Sequence, residues 1–432
     1  MRKKEGFVKA FSIATSALIA LSLISPNIAG AKTNDLYQSF SDSSQNAIVV
    51  KNKVSSRLLE DFKDDEKLTF LIKFKEKASV GKIATEARKN AEKNKLSAQQ
   101  TKFVQRSAVV SDLKATSLES QESVKQYLEK EVDKGNAKDI ESYFIVNGIA
   151  VTATKEVAEK VATFDEVEKV LPNETRQLYT TKTSTEEVSK TKSVATKTAT
   201  DKKSKSASEE KAKTSSIEWN VERVKAPEAW ELGIDGTGTV VATIDTGVQW
   251  DHPALKQKYR GYNASTGQVS NDATSAGRAT PYDDIGHGTH VTGTMVGSEP
   301  NGSNQIGVAP GAKFISVKAF TEDGGTDTDL LEAAQWILAP TDSSGNARVD
   351  LAPDVVNNSW GGGPGLDEWY RDVVRNWRAA EIFPEFSAGN TTLTNPGGPG
   401  SVAAPANYPE SFATGAIDIN NTVASFSLRG PS

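Results

Sequence analysis

Apolar and polar positions alternate in three different rhythms along this chain. Leu68-Thr-Phe-Leu-Ile-Lys-Phe74 is a compact apolar run that alternates toward its end, which predicts a strand. Val80 to Val132 is charged, rich in Ala, Lys, Glu and Gln, and free of proline, with one glycine at its start. That composition predicts one or two long amphipathic helices. Tyr143–Val146, Asn147-Gly148 and Ile149–Thr152 predict a hairpin, because Asn-Gly supplies the positive φ angles of a tight two-residue turn. Lys155–Phe164 predicts a short amphipathic helix and Val167–Leu171 a last strand.

The order strand, helix, strand, strand, helix, strand is that of a small ferredoxin-like α+β domain, placed at 66–180. Residues 181–216 then change character. Lys, Ser, Thr, Ala and Glu dominate, and no aromatic residue, Leu, Ile, Met, Pro or Gly interrupts them. Such a segment buries too little apolar surface to offset the entropy of ordering, which predicts a solvated, protease-accessible tether. From Trp219 onward short apolar runs are followed by glycine-rich turns. Thr239–Ile244, Phe314–Ala319, Asp354–Asn358 and Phe412–Ile417 predict buried strands, with helices at Leu330–Leu338 and Trp369–Ala380. Alternating strands and helices predict an α/β domain at 217–432 with a mostly parallel sheet covered on both faces.

Composition narrows the chemistry. The 432 residues contain no cysteine, which excludes disulfides, thiolate catalysis and Cys-ligated zinc. A net charge of −5 gives no reason to expect a nucleic-acid partner. The three histidines stand at 252, 287 and 290, and all seven tryptophans at Trp219 or later. At the start, Arg2, Lys3, Lys4 and Lys9, the apolar stretch Ala10–Ile24, Pro26 and Ala29-Gly-Ala31 have the pattern of an export signal over 1–31. The apolar run is short for a membrane of about 30 Å. Secretion and no stable membrane partner are therefore expected, and 32–65 becomes a pro-region without clear pattern.

In parallel sheets, chemistry gathers at the carboxyl ends of strands. Asp245 ends an apolar strand beside Thr246-Gly247 and suits a low-mobility carboxylate. His287 lies between glycines at the start of a predicted helix. A serine hydroxyl needs such an imidazole to take its proton, and the imidazole needs a carboxylate to fix its tautomer. Two other readings fail on placement. Gly233–Gly238 precedes its strand, whereas a dinucleotide loop must follow one. The histidines also lack the His-Glu-x-x-His helix of a metal hydrolase.

Asp-Thr-Gly (245–247), His-Gly-Thr-His-Val-Thr-Gly (287–293), Ile306–Gly311, Asn357-Asn-Ser-Trp-Gly361 and Ser-Ala-Gly-Asn (387–390) together resemble the motifs of subtilisin-like serine proteases. The resemblance covers about 217–432. It implies the subtilisin-like three-layer fold, preceded by a ferredoxin-like propeptide that chaperones and inhibits the protease. By position it makes Asp245 the orienting carboxylate, His287 the general base and acid, and Asn390 a donor to the oxyanion. It also gives Ser359, Trp360 and Gly361 the pairing with substrate backbone, with Ser387, Ala388 and Gly389 on the far side of the first specificity pocket. His290 is expected to be a structural partner. The implied partners are peptide and protein substrates and the chain's own propeptide, acting on a monomer. A turn at 403–409 matches one that bears a cis proline, which predicts a cis Ala404–Pro405 bond.

Two departures stand out. Relatives with a tight calcium site carry an aspartate after the His-Pro pair, whereas Ala254 follows His252-Pro253 here and the 298–305 loop is shorter. No cofactor is needed for the chemistry, and structural calcium has no assignable site. The second departure is the nucleophile: no glycine-flanked serine follows Asn390 before Arg429-Gly-Pro-Ser432, and Ser425, Ser427 and Ser432 come too early. The expectation is a secreted endopeptidase precursor, incomplete and inactive as given. The alternative is a non-catalytic inhibitor, decoy or remnant.

Overall fold

The computed structural model describes residues 48–63, 66–178, 216–263, 271–272, 280–342, 344–363 and 366–432. The expected signal at 1–31, the first part of the pro-region and the tether before Ser216 lie outside the described residues. In chain order the N-terminal module runs β1 (Leu68–Phe74), α1 (Val80–Lys93), α2 (Ala98–Ser120), α3 (Glu122–Asp133), β2 (Ala137–Tyr143), β3 (Gly148–Ala153), α4 (Lys155–Ala162) and β4 (Val167–Pro172). Its strands form one antiparallel sheet in the order β2-β3-β1-β4.

Alternation along β1 decides what each face of this sheet meets. Phe70, Ile72 and Phe74 turn toward Val124 and Leu128 of α3 and Val157 and Val161 of α4, forming one closed core. Leu71, with Ala150 and Leu171, turns the other way and joins Val109, Val110 and Leu113 of α2 in the core of the C-terminal module. The charged stretch is thus three helices rather than one or two. Ser97 and Gln100 form a capping box that restarts the chain as α2 after Asn94. At the next break, Gln121 Nε2 donates to Asn147 Oδ1 and to the carbonyl of Gly148, at 2.9 and 3.2 Å.

The hairpin also departs from the expected two-residue turn. Its first strand starts earlier, at Ala137, and ends at Tyr143, which pairs with Gly148 across a four-residue loop. The loop's apolar residues are claimed elsewhere: Ile145 and Val146 are buried against the C-terminal module. The Phe144 and Ile145 N–H groups donate to Gln335 Oε1 at 2.8 and 3.4 Å, and Asn376 Nδ2 donates to the Ile145 carbonyl at 2.6 Å. Docking overrides the local turn signal.

The chain continues through β5 (Thr175–Arg176), β6 (Val240–Asp245), α5 (His287–Val296), β7 (Lys313–Lys318), β8 (Gly325–Thr326), α6 (Asp327–Leu338), β9 (Val355–Asn358), α7 (Tyr370–Ala379), β10 (Phe383–Ser387) and β11 (Phe412–Thr414). The main sheet is parallel, in the order β11-β10-β9-β6-β7, with Asn271–Asp272 at its edge beyond β7. β10 is the strand that apolar patterning misses, because Pro384 and Glu385 interrupt its run. β11 is shorter than the expected Phe412–Ile417, since Ile417 bridges to Val423 in a local turn instead. Ala404–Pro405 is cis, as the turn pattern predicts.

One guanidinium fastens the two modules. Arg106 of α2 is 4% exposed and donates to the carbonyls of Ala352, Pro353 and Ala380 at 2.8, 2.6 and 2.9 Å. Next to it, Gln105 Nε2 donates to the Ala379 carbonyl at 2.9 Å, and Lys102 pairs with Asp354. Truncating such a cation leaves three buried carbonyls without their donor, so Arg106→Ala is expected to lower unfolding stability by about 3 kcal/mol. Urea denaturation of the full chain measures this, and a midpoint like that of the parent would contradict it.

Candidate active site

Asp245 is the last residue of β6, at the centre of the parallel sheet, and it is fully buried. Its Oδ1 accepts the Thr246 N–H at 2.7 Å and lies 2.7 Å from His287 Nδ1. The imidazole is the first residue of α5, so the helix start must come very close to the strand end. Gly288 permits it: a Cβ there would stand 2.1 Å from the Gly247 carbonyl oxygen. With Nδ1–H directed at the carboxylate, the other ring nitrogen is left as the base.

A second carboxylate organises this junction. Asp283 Oδ1 accepts from Thr246 Oγ1, Ile285 N and Gly286 N at 2.9, 3.1 and 2.8 Å. Its Oδ2 accepts from Thr289 N and Oγ1 at 2.9 and 2.5 Å. Thr246 Oγ1 in turn accepts from the Gly288 N–H at 2.8 Å. Strand end and helix start are thereby joined through one side chain. Lys318, 3% exposed, fixes the turn from below by donating to the Thr246 and Phe320 carbonyls, both at 3.0 Å, and to Asp284 at 2.7 Å. Sequence reasoning passes over Asp283, although an acidic residue just before a helix start is a recognisable sign of such bonding.

The hydrogen bond to Asp245 raises the His287 pKa above the ordinary histidine value; burial opposes it, and the charges of Asp245 and Asp283 add to the rise. Across the sheet, Asn390, Ser359, Ser387, Ala388 and Gly389 line one cavity of about 290 Å³. Asn357, Glu385, Ser427 and the α5 residues His290, Thr294 and Met295 are also in its wall. Burial pushes the Glu385 carboxyl up to about 7, against a hydrogen bond from Thr414. Ser427 Oγ is already engaged, accepting from Ala416 N at 3.0 Å and donating to the Leu428 carbonyl at 3.1 Å.

Trp360 and Gly361 are not among the lining residues of that cavity. The Trp360 ring is fully buried, packed against Phe320, Tyr370 and Phe386, so its backbone is the part that meets other chain. That backbone forms an antiparallel bridge with Leu178, at the end of the N-terminal module. Just before it, β5 pairs antiparallel with β8, Arg176 opposite Gly325 and Thr175 opposite Thr326. The module's tail therefore lies as an extended strand between Gly325–Thr326 and the 359–361 segment.

A buried Asp–His pair at the end of a central parallel strand, with an extended chain laid across the adjoining edge, is the arrangement that the subtilisin-like motifs lead one to expect. The chain belongs to the subtilase family. The Subtilase family model matches residues 236–432, and the Peptidase inhibitor I9 model matches residues 69–179. Bacillopeptidase F of Bacillus subtilis (strain 168) is 57% identical over 437 positions, covering 100% of this chain and 29% of that protein. Subtilisin Savinase of Lederbergia lenta is 31% identical over 216 positions, covering 50% of this chain and 69% of that protein. Serine protease AprX of Bacillus subtilis (strain 168) is 32% identical over 217 positions, covering 46% and 44%. The chain thus spans under a third of bacillopeptidase F.

A raised histidine pKa stabilises the fold fully below the unfolded value of about 6.5, and the gain is lost as pH rises through the folded value. Asp245→Asn should therefore lower the His287 titration midpoint, and the stability it removes should be greatest at acid pH. Imidazole NMR titration and unfolding at several pH values measure both. An unchanged midpoint would refute the coupling.

Proposed function

We propose that the protein carrying this chain is a secreted serine endopeptidase, made as a precursor that its own N-terminal module holds inhibited. The observation that carries this reading is the 2.7 Å contact of His287 Nδ1 with the buried Asp245. In the proposed reaction, the free nitrogen of His287 takes the proton of a serine hydroxyl as that oxygen attacks the substrate carbonyl. Asp245 holds the ring and stabilises the imidazolium. Asn390 donates to the oxyanion, an interaction whose loss typically costs about 100- to 1,000-fold in turnover. His287 then protonates the leaving amine, and a water molecule, activated the same way, releases the acyl group.

Substrate backbone would pair with Ser359, Trp360 and Gly361, with Ser387, Ala388 and Gly389 beside the residue preceding the cut. The tail at Thr175–Leu178 supports this, since it takes an extended antiparallel path along the same edges. No cofactor enters these steps. Among the described residues no helix is long and apolar enough to cross a membrane.

Of the serines lining the cavity, Ser359 Oγ accepts from Asn357 Nδ2 at 3.0 Å, and none is bonded to His287. Ser427 Oγ serves two backbone groups, and no serine hydroxyl among the described residues has a recorded hydrogen bond to His287. The 432-residue polypeptide is therefore expected to leave casein uncut and to resist labelling by a serine-directed phosphonate. Robust, phosphonate-sensitive hydrolysis by this polypeptide would show that one of its own serines is the nucleophile. For the intact enzyme, self-cleavage is expected between Leu178 and Ile217, because a segment joined directly to Leu178, which meets Trp360, has a high effective concentration there. N-terminal sequencing of the secreted form reads the cut, and a start well before Leu178 would overturn this route.

A further inference from the structure

Arg176 has two relations to the protease module at once. Its backbone pairs with Gly325, in the path taken by an extended ligand, two residues before Leu178 meets Trp360. Its guanidinium forms a two-pronged bond with Asp327, Nε to Oδ1 at 2.7 Å and Nη2 to Oδ2 at 2.9 Å. The two side chains are 2% and 1% exposed.

We propose that Asp327 selects a basic residue, arginine above all, at the substrate position that pairs with Gly325. This rests on the protease reading above and adds to it a class of preferred substrate.

The site is shaped for one such residue. Asp327 opens α6, where a capping box from Thr326 and Asp329 fixes the helix start. Its N–H donates to the Glu174 carbonyl at 2.9 Å, and its Oδ2 accepts the Glu174 N–H at 3.3 Å. Glu174 belongs to the same tail as Arg176, so these two bonds come with the ligand, while the capping box holds the helix start independently. Beside it, a Cβ on Gly324 would stand 2.5 Å from the Arg176 carbonyl oxygen, so the bare glycine lets the strand lie close. The Gly362 carbonyl accepts from Nη1 at 3.5 Å. Planar, two-pronged recognition suits arginine better than the point charge of lysine. Burial pushes the Asp327 carboxyl up to about 6 even with Arg176 bound, so an uncharged side chain covering it would favour the protonated form and lose the paired bond. A basic side chain there keeps the carboxylate ionised, and arginine alone can meet both of its oxygens in one plane.

The competing possibility is that the pair serves only to latch the propeptide. Two peptides identical except for arginine or alanine at the Gly325-paired position separate the two. In the full chain carrying Arg176→Ala, which loosens the tail, each peptide is titrated while the Gly325 amide is followed by NMR. The arginine peptide is expected to bind about 10-fold more tightly or better, and adding Asp327→Asn should remove the difference. The self-processed secreted enzyme should show a similar arginine-to-alanine ratio in kcat/KM, falling to near one in Asp327→Asn. Cleavage of both peptides at equal rates with equal binding would overturn the subsite and leave the protease reading standing. Arginine-selective binding without cleavage by the secreted enzyme would keep the subsite and overturn the protease reading.

Discussion

A carboxylate without exposure to water sits at the end of the central strand, and the surrounding architecture directs its partners to one oxygen, Oδ1, leaving Oδ2 without a hydrogen bond. Burying an ion is favourable only when close partners replace its hydration. Asp245 receives one backbone N–H and the imidazole, and both come from segments whose positions are independently fixed. Asp283 ties the His287 helix start to the strand end, and Lys318 holds the turn that follows. Both supporting charges are themselves bonded on several sides. The pair is thus rigid because its neighbours are, which fits a group that must present one ring nitrogen in one direction.

Much of this was legible in the sequence, and the reason is local. Asp245 and His287 sit in glycine-bearing motifs whose spacing is dictated by close approach, as Gly288 illustrates. The ferredoxin-like order and the parallel sheet followed from apolar periodicity, because most core strands carry long apolar runs. The misses share a cause. β10 hides behind Pro384 and Glu385, the Phe144–Asn147 loop is set by contacts nearly 200 residues away, and Asp327 acts through Arg176, 151 residues away. Periodicity reports what a segment buries, not which distant atom will meet it.

The interface between the modules combines an apolar contact with a set of buried polar bonds. Arg106, Gln105, Gln335, Asn376 and the Arg176–Asp327 pair bind mainly through backbone groups or a single opposing charge. Such contacts fix register more than they add affinity, since each was also well solvated apart. The apolar contribution comes from one sheet face and from Ile145 and Val146. Register is set by the polar groups, and adhesion by the apolar ones.

Arg106 has a further effect on how the chain finds its fold. The carbonyls it gathers stand just before β9 and just after α7, at the two ends of a strand–helix segment that must return to lay β10 parallel to β9. Parallel pairing across such a crossover forms late, because the entropy of closing the loop is lost before the ladder gains anything. A helix that holds both ends of the crossover makes that closure at the moment it docks. In the finished structure one buried arginine of the N-terminal module thus holds together the two ends of a crossover in its partner.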